Sequence, residues 1–276
     1  MVNSSFTVAM SVYDKDNPAF LDRALQSITA QQSIIPNEII LVCDGQLGDK
    51  LNETVTRYEK ELGILRVIRL SQNGGLGNAL NVAVSKASND LIARMDSDDI
   101  SLPTRFEQQL SFFHSHPEID IVGGDISEFI DTEDNIVGRR CVPCDSNGIK
   151  NYMKKRSPFN HVSVMFKKQA IEQAGGYLDC FWNEDYYLWI RMQLQGATFA
   201  NTGTTLVNVR IGKEMYQRRG GKKYFQSELK LQKLMLHNKM INRFTFVVNV
   251  VERFIVQLLL PSKIRGWVFR RFARTK

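Results

Sequence analysis

The chain has 276 residues, 43% of them hydrophobic, enough for one large domain with an extension or two modest ones, which excludes a disordered or fibrous protein. Its net charge of +7 hides an asymmetry: Arg210 to Lys276 carry 17 Lys and Arg against 3 Asp and Glu, net +14, leaving residues 1–209 with 19 against 26, net −7. Cys141 and Cys144 form a C-x-x-C with no second Cys or His pair to complete a zinc site and no thioredoxin-like context, so with Cys43 and Cys180 they are expected as free thiols in a reducing compartment.

The opening MVNSSFTVAMSVY has neither the basic start nor the long apolar core of a signal peptide, so a cytosolic setting with Mg²⁺ and nucleotides is expected. FTVAMSVY (6–13), EIILVCD (38–44), LRVIRL (65–70) and DLIARMD (90–96) read as short strands rich in β-branched residues. Helical spacing appears in Phe20, Leu21, Ala24, Leu25 and Ile28, and again through GLGNALNVAVSKA (75–87). This alternation predicts an α/β fold, doubly wound on a mostly parallel sheet with right-handed crossovers. Ligands of such sheets bind beyond the carboxyl ends of the strands. Asp14 follows the first strand, Asp44 ends the second and Asp96 to Asp99 close the fourth, so acids distant in sequence should gather along one rim.

In ARMDSDDISLP (93–103) three carboxylates, Asp96, Asp98 and Asp99, fall within four positions. A polar turn with an N-cap, followed by Pro103 in a helical first turn, accounts for one or two of them. Three repel one another unless a cation neutralises them, and Mg²⁺ or Mn²⁺ takes oxygen ligands and completes its shell with phosphates.

Further along, His161 in SPFNHVSVMF precedes a strand-like run and is a candidate for metal, diphosphate or acceptor, against a structural role. WNEDYYLWIRM places Glu184 and Asp185 at the start of a helix with apolar Tyr187, Leu188 and Ile190, where the helix dipole alone would favour acids. EMYQRRGGKKY sets Arg218, Arg219, Lys222 and Lys223 around two glycines, which suits a flap closing over phosphates or a solvated basic loop. In the tail Val247, Val250, Val251, Phe254, Ile255 and Leu258 follow helical spacing, with Asn249, Glu252, Arg253 and Gln257 on the other face. After Pro261, SKIRGWVFRRFARTK alternates aromatic and basic residues as an interfacial helix does, so an anionic membrane surface is expected rather than nucleic acid, with packing on the domain or a twin subunit as the rival.

The segments SVYDKDNPAFLDRALQSITAQ, EIILVCDG, NGGLGNALN, ARMDSDDISLPTRFE and NEDYYLWIRM, in this order, resemble the family 2 glycosyltransferases with a GT-A fold over about residues 6–215. NHVSVMFKK, AGGY, the RRGGKKY loop and the basic tail are similar to the branch that builds O-antigen, capsule and exopolysaccharide repeat units. The resemblance implies a divalent ion, Mn²⁺ or Mg²⁺, at Asp96 and Asp98 across the diphosphate of a UDP-sugar, with Asp98 the direct ligand and Asp99 orienting the loop or the sugar. Val12, Tyr13 and Asp14 would flank the base and ribose, and the end of the second strand, at Asp44, would read the uracil edge. Two departures stand out: Cys43 where many relatives have an acid, and Leu80 where an Arg is common. Asp185 would be the general base of an inverting transfer and Glu184 would bind the acceptor.

The implied activity is β-transfer of a hexose, Gal or Glc, from a UDP-sugar to a polyprenyl-diphosphate-linked GlcNAc or GalNAc. The implied setting is the cytoplasmic face of the bacterial inner membrane, held peripherally. Residues 1–100 would form the nucleotide-sugar half and 101–215 the acceptor half, with 216–276 as basic flap and amphipathic tail. A nucleotidyltransferase would want a basic Gly-rich triphosphate loop, which SVYDKDNP does not provide, and a silent recruiting partner would not need Asp98 and Asp185.

Overall fold

A computed structural model describes residues 5–212, 220–261 and 264–265. Strand β1 (Phe6–Val12) leads through α1 (Pro18–Ile28), β2 (Glu38–Cys43), α2 (Asp49–Glu61), β3 (Leu65–Arg69) and α3 (Leu76–Lys86) to β4 (Leu91–Met95). Then follow β5 (Ile100–Ser101), α4 (Arg105–Ser115), β6 (Ile121–Phe129), β7 (Ile136–Arg140), α5 (Ser146–Met153), a 3-10 turn (His161–Ser163), β8 (Met165–Lys167) and α6 (Lys168–Gln173). The chain continues with α7 (Glu184–Leu194), β9 (Phe199–Arg210), α8 (Lys222–His237), α9 (Arg243–Phe254) and a π-helical turn (Ile255–Leu259).

Among the described residues nine strands share one sheet in the order β3-β2-β1-β4-β8-β6-β9-β5, with β7 on β6. The pairs β1–β2, β1–β4 and β2–β3 are parallel, as the strand–helix alternation predicts. Beyond β4 the sheet is mixed: β8 runs antiparallel to β4 and β6, while β6 and β9 pair parallel. Alternation along the strands sorts the core into two layers. Phe6, Val8, Met10 and Val12 pack with α1, α2 and α4; Ala9, Ile40 and Val42 face α3, α6 and α7, where Leu231 and Met235 of α8 join them.

Local chemistry explains where the first helices begin. Asn17 caps α1 by accepting from Ala19 N at 2.9 Å, and Pro18 pre-sets the first turn. Leu21, Ala24, Leu25 and Ile28 are fully buried at the spacing read from sequence. Helix α2 was not anticipated, because only Leu51, Val55 and Tyr58 of its 13 residues are buried. The register Val12↔Cys43 ends β1 and β2 level, and Met10↔Met95 ends β4 two residues earlier on the same side, so the residues that follow each strand share one rim.

Candidate active site

At the end of β2 the Asp44 carboxylate accepts from the backbone N–H groups of Gly74 at 2.7 Å and Gly75 at 2.9 Å, and its carbonyl accepts from the Asn73 amide at 3.1 Å. Asp44 thereby fixes the turn that opens α3, and Gly75 at φ +84 supplies the left-handed residue this turn requires. Gly45, at φ +90, lets that turn approach, since a Cβ there would meet Asn73 N at 2.8 Å. Val12 has its side chain in the core and its carbonyl taken by Asp44 N at 2.8 Å, so its main chain alone reaches the rim. Cys43 is likewise buried, and burial pushes its thiol up to about 11. Leu80 is a core residue of α3. Tyr13 and Asp14 stand exposed beside them.

The four residues between β4 and β5 carry the acids. Strand β5 is pinned by antiparallel pairing to β9, Ile100↔Asn208, and Arg210 N donates to Asp99 Oδ1 at 2.8 Å. Asp99 is therefore a buried anchor and not an N-cap; α4 begins later, behind Thr104. Asp96 receives both terminal nitrogens of Arg94. Asp98 is the exposed member of the group.

The three carboxylates place oxygens within 4.8 Å of one another. Desolvation by the surrounding protein, then the charges of Asp96 and Asp16, push Asp98 up to about 6. Because the Asp98 side chain keeps an open side to water, the repulsion is the component that a cation would relieve. Burial, with Asp98 and Asp96 adding, also raises Asp99 well above the carboxylate range. This all-oxygen donor set fits a hard divalent ion.

Two residues of this rim were missed in the sequence. Asp16 folds back to accept from Tyr13 N at 3.1 Å and from Ser97 Oγ at 2.8 Å, which joins the first loop to the acid loop; burial raises its pKa. Arg94 is the other. Its side chain is 3% exposed, its Nε has no acceptor among the described residues, and its charge acts on Asp98, Asp99, His161, Tyr177 and Asp185.

Across from this rim, α7 opens with Glu184 and Asp185. Asn183, at the cap position, makes no side-chain cap and donates instead to Ser227 Oγ of α8 at 2.8 Å, while Asp185 accepts from Tyr186 N in the first turn. Asp185 Oδ2 accepts from Ser157 Oγ at 3.3 Å, and burial raises its pKa against the opposing pull of Arg140 and Arg94. Glu184, raised mainly by burial, accepts from Trp182 N at 3.3 Å and packs near Gly77 of α3. His161 lies 2.9 Å from the Tyr177 hydroxyl; burial and Arg94 hold it well below its ordinary pKa, hence neutral. Asn81 of α3 clamps Tyr177 through its N–H and carbonyl, both at 2.7 Å. Arg218 and Arg219 of the expected flap lie outside the described residues. All four cysteines are free thiols.

A parallel half whose rim carries D-x-D acids, joined to a mixed half that contributes an acidic helix start, is the GT-A arrangement. The model of Glycosyl transferase family 2 matches residues 7–174, and the chain belongs to that family and is a glycosyltransferase. It is 37% identical over 270 residues to an Escherichia coli UDP-Gal:alpha-D-GlcNAc-diphosphoundecaprenol beta-1,3-galactosyltransferase, covering 98% of this chain and 96% of that one. It is 34% identical over 266 residues to the amylovoran biosynthesis glycosyltransferase AmsE of Erwinia amylovora, covering 96% and 98%. Among solved structures, the mannosyltransferase PcManGT from Pyrobaculum calidifontis, in complex with GDP-Man and Mn²⁺, superposes with a TM-score of 0.64 at 14% identity over 100% of this chain and 78% of that one.

Proposed function

We propose that this glycosyltransferase moves a hexose, with inversion, from a UDP-sugar to a sugar linked through diphosphate to a polyprenyl lipid during assembly of a surface polysaccharide. The observation that carries the reading is that the acids of the β4–β5 loop and Asp185 gather around one buried arginine, Arg94. Arg94 pairs with Asp96, and its charge also reaches Asp98 and Asp185, so one cation ties the proposed phosphate site to the proposed base. Similarity along nearly the whole length to the galactosyltransferase supports the donor and acceptor class, and β-galactosyl transfer is the first expectation.

Asp96 and Asp98 would hold Mn²⁺ or Mg²⁺, which when bound supplies charge neutralisation to the departing diphosphate, with Asp99 orienting their loop through Arg210 N. In residues 1–100, Tyr13 and Asp14 flank the nucleoside, and the turn held by Asp44 brings backbone N–H groups toward the donor. In residues 101–215, Asp185 takes the proton of the acceptor hydroxyl on the face opposite the leaving group, and Glu184 orients that acceptor. Its raised pKa makes Asp185 a stronger base than an ordinary aspartate, while neutral His161 and Tyr177 offer hydrogen bonds without charge.

Asp185→Asn keeps the shape and removes the basicity. Transfer to a synthetic diphosphate-lipid acceptor should fall about 10²- to 10⁴-fold, while UDP affinity by calorimetry stays within a few-fold. An equal loss of UDP affinity would place Asp185 in the donor site instead.

A further inference from the structure

Helix α9 and the π turn are inverted with respect to water. Asn249 and Gln257 are buried at 0% and 6% exposure, and Arg253 pairs with Glu228 of α8 at 2.6 Å. On the outer side Phe244, Val247, Val251 and Leu259 are 77%, 55%, 50% and 61% exposed, with Val248, Phe254, Ile255 and Leu258 between them. The periodicity read from sequence is present, yet Asn249, Arg253 and Gln257 of the polar face meet the protein, with Glu252 alone of that set exposed. A continuous apolar face of this kind is unfavourable in water and marks a surface that something covers.

Charge selects the occupant. Residues 239–276 contain nine Lys and Arg and a single acid, Glu252. Of these, Lys239 and Arg243 stand exposed just before and at the start of α9, while Arg253 is taken up by Glu228. A segment this basic repels its own copy, whereas an anionic lipid surface complements it. Among the described residues no helix is long and apolar enough to cross a membrane, so a helix lying in the plane of the interface is the form the chemistry allows.

We propose that the outer face of α9 and the π turn, from Phe244 to Leu259, is the surface by which the enzyme lies on an anionic bilayer. The inference deepens the functional reading above, because it sets the carboxylates at a fixed height over the leaflet that holds the acceptor. The linkage is short. Asn249 donates to Lys154 O at 2.9 Å and Arg253 donates to Lys155 O, clamping α9 on the loop that carries Ser157, the partner of Asp185. Helix α8 reaches the start of α7 through Ser227 and Asn183.

The full chain should sediment with vesicles containing phosphatidylglycerol, less so as salt rises, and should ignore phosphatidylcholine vesicles. Val247→Glu with Val251→Glu and Leu259→Glu should weaken that binding by at least about tenfold, a change of about 1.4 kcal/mol or more, with an unchanged or raised melting temperature and unchanged UDP-sugar hydrolysis. Phe244→Ser, at the most exposed position, should shift binding in the same direction by less and serves if the triple variant fails to fold. Three outcomes overturn the proposal: vesicle binding that the substitutions leave intact; a dimer that does not bind vesicles and that they split, which assigns the face to a twin copy; and a monomer that does not bind vesicles and that they destabilise, which assigns it to residues 266–276 of the same chain. Vesicle binding requires neither donor nor turnover, so its failure is distinguishable from failure of the transferase reading.

Discussion

At the rim between β4 and β5, Asp96, Asp98 and Asp99 bring oxygens within 4.8 Å of one another with Arg94 as the nearest counter-charge. At the seam between α8 and α9, Glu228 meets Arg253 at 2.6 Å and Gln232 meets Asn249 at 2.9 Å. The rim crowds like charges toward an open mouth; the seam pairs its charges and turns its apolar residues out. Each region violates the ordinary partition of polar and apolar groups, in opposite senses, and each violation indicates the missing partner. A surplus of oxygen donors asks for a cation with a diphosphate, and a surplus of exposed aliphatic surface asks for lipid.

The largest test of that contrast is Asp98→Asn. Removing one charge relieves the rim but deprives a diphosphate-bound cation of its most accessible ligand. Transfer should fall about 10³-fold, equivalent to about 4 kcal/mol of leaving-group stabilisation. The cation-free protein should melt higher than wild type at pH 7.5, as expected where a site is strained for function. A variant that loses activity and melts lower would show that Asp98 supports the fold and not the ion.

A second test uses pH. Asp98 is raised from 3.8 to about 6, and Asp16 and Asp99 are raised as well. The folded state therefore holds more protons than the unfolded one across that window. By linkage each of the three acids lowers stability as pH rises from its unfolded value to its raised folded one, and for Asp98 the full cost is present above about 6. A cation competes for the same oxygens. At about 100 times its dissociation constant, Mn²⁺ should stabilise the protein by about 2.7 kcal/mol at pH 7.5 and by much less at pH 5. An equal shift of melting temperature at both pH values would remove the acid cluster from consideration as the binding site.

The same contrast separates what the sequence reveals from what it conceals. The first four strands and the acids at their ends were legible because each is a local pattern read by period or by composition, whereas the Glu184–Asp185 pair stood out only through the resemblance to the family, since a helix start favours acids by itself. Helix α2 was not legible, since three apolar positions in 13 residues give too faint a stripe. Asp16 and Arg94 were not, because their roles depend on Ser97, His161, Tyr177 and Asp185, which tertiary folding alone brings near. The parallel pairing of β6 with β9 joins strands some 80 positions apart, such as Ile121 with Phe199, beyond any local signal. Helix α9 is a different case: periodicity shows that its two faces differ, but not which face turns inward, and the usual rule gives the wrong sign.

The smallest expected effect lies within that inverted seam. Asn249 donates to Gln232 Oε1 at 2.9 Å, and both side chains are fully buried. Asn249 Oδ1 and Gln232 Nε2 have no partner among the described residues, so the pair is satisfied only in part. Replacing one member by Leu leaves the other buried without its bond and should cost about 1–3 kcal/mol. Replacing both removes the polar pair together, and the double variant should return to within about 1 kcal/mol of wild type, the loss being mainly the bond to Lys154 O. A double-mutant cycle on urea denaturation midpoints measures this coupling directly. Additive losses would mean that the two amides do not act as a pair, and that the polar seam does not set how α9 docks. Recovery of stability together with retained vesicle binding would show that the outward turn of the apolar face is fixed by the rest of the seam, with Glu228 and Arg253 as its charged anchor.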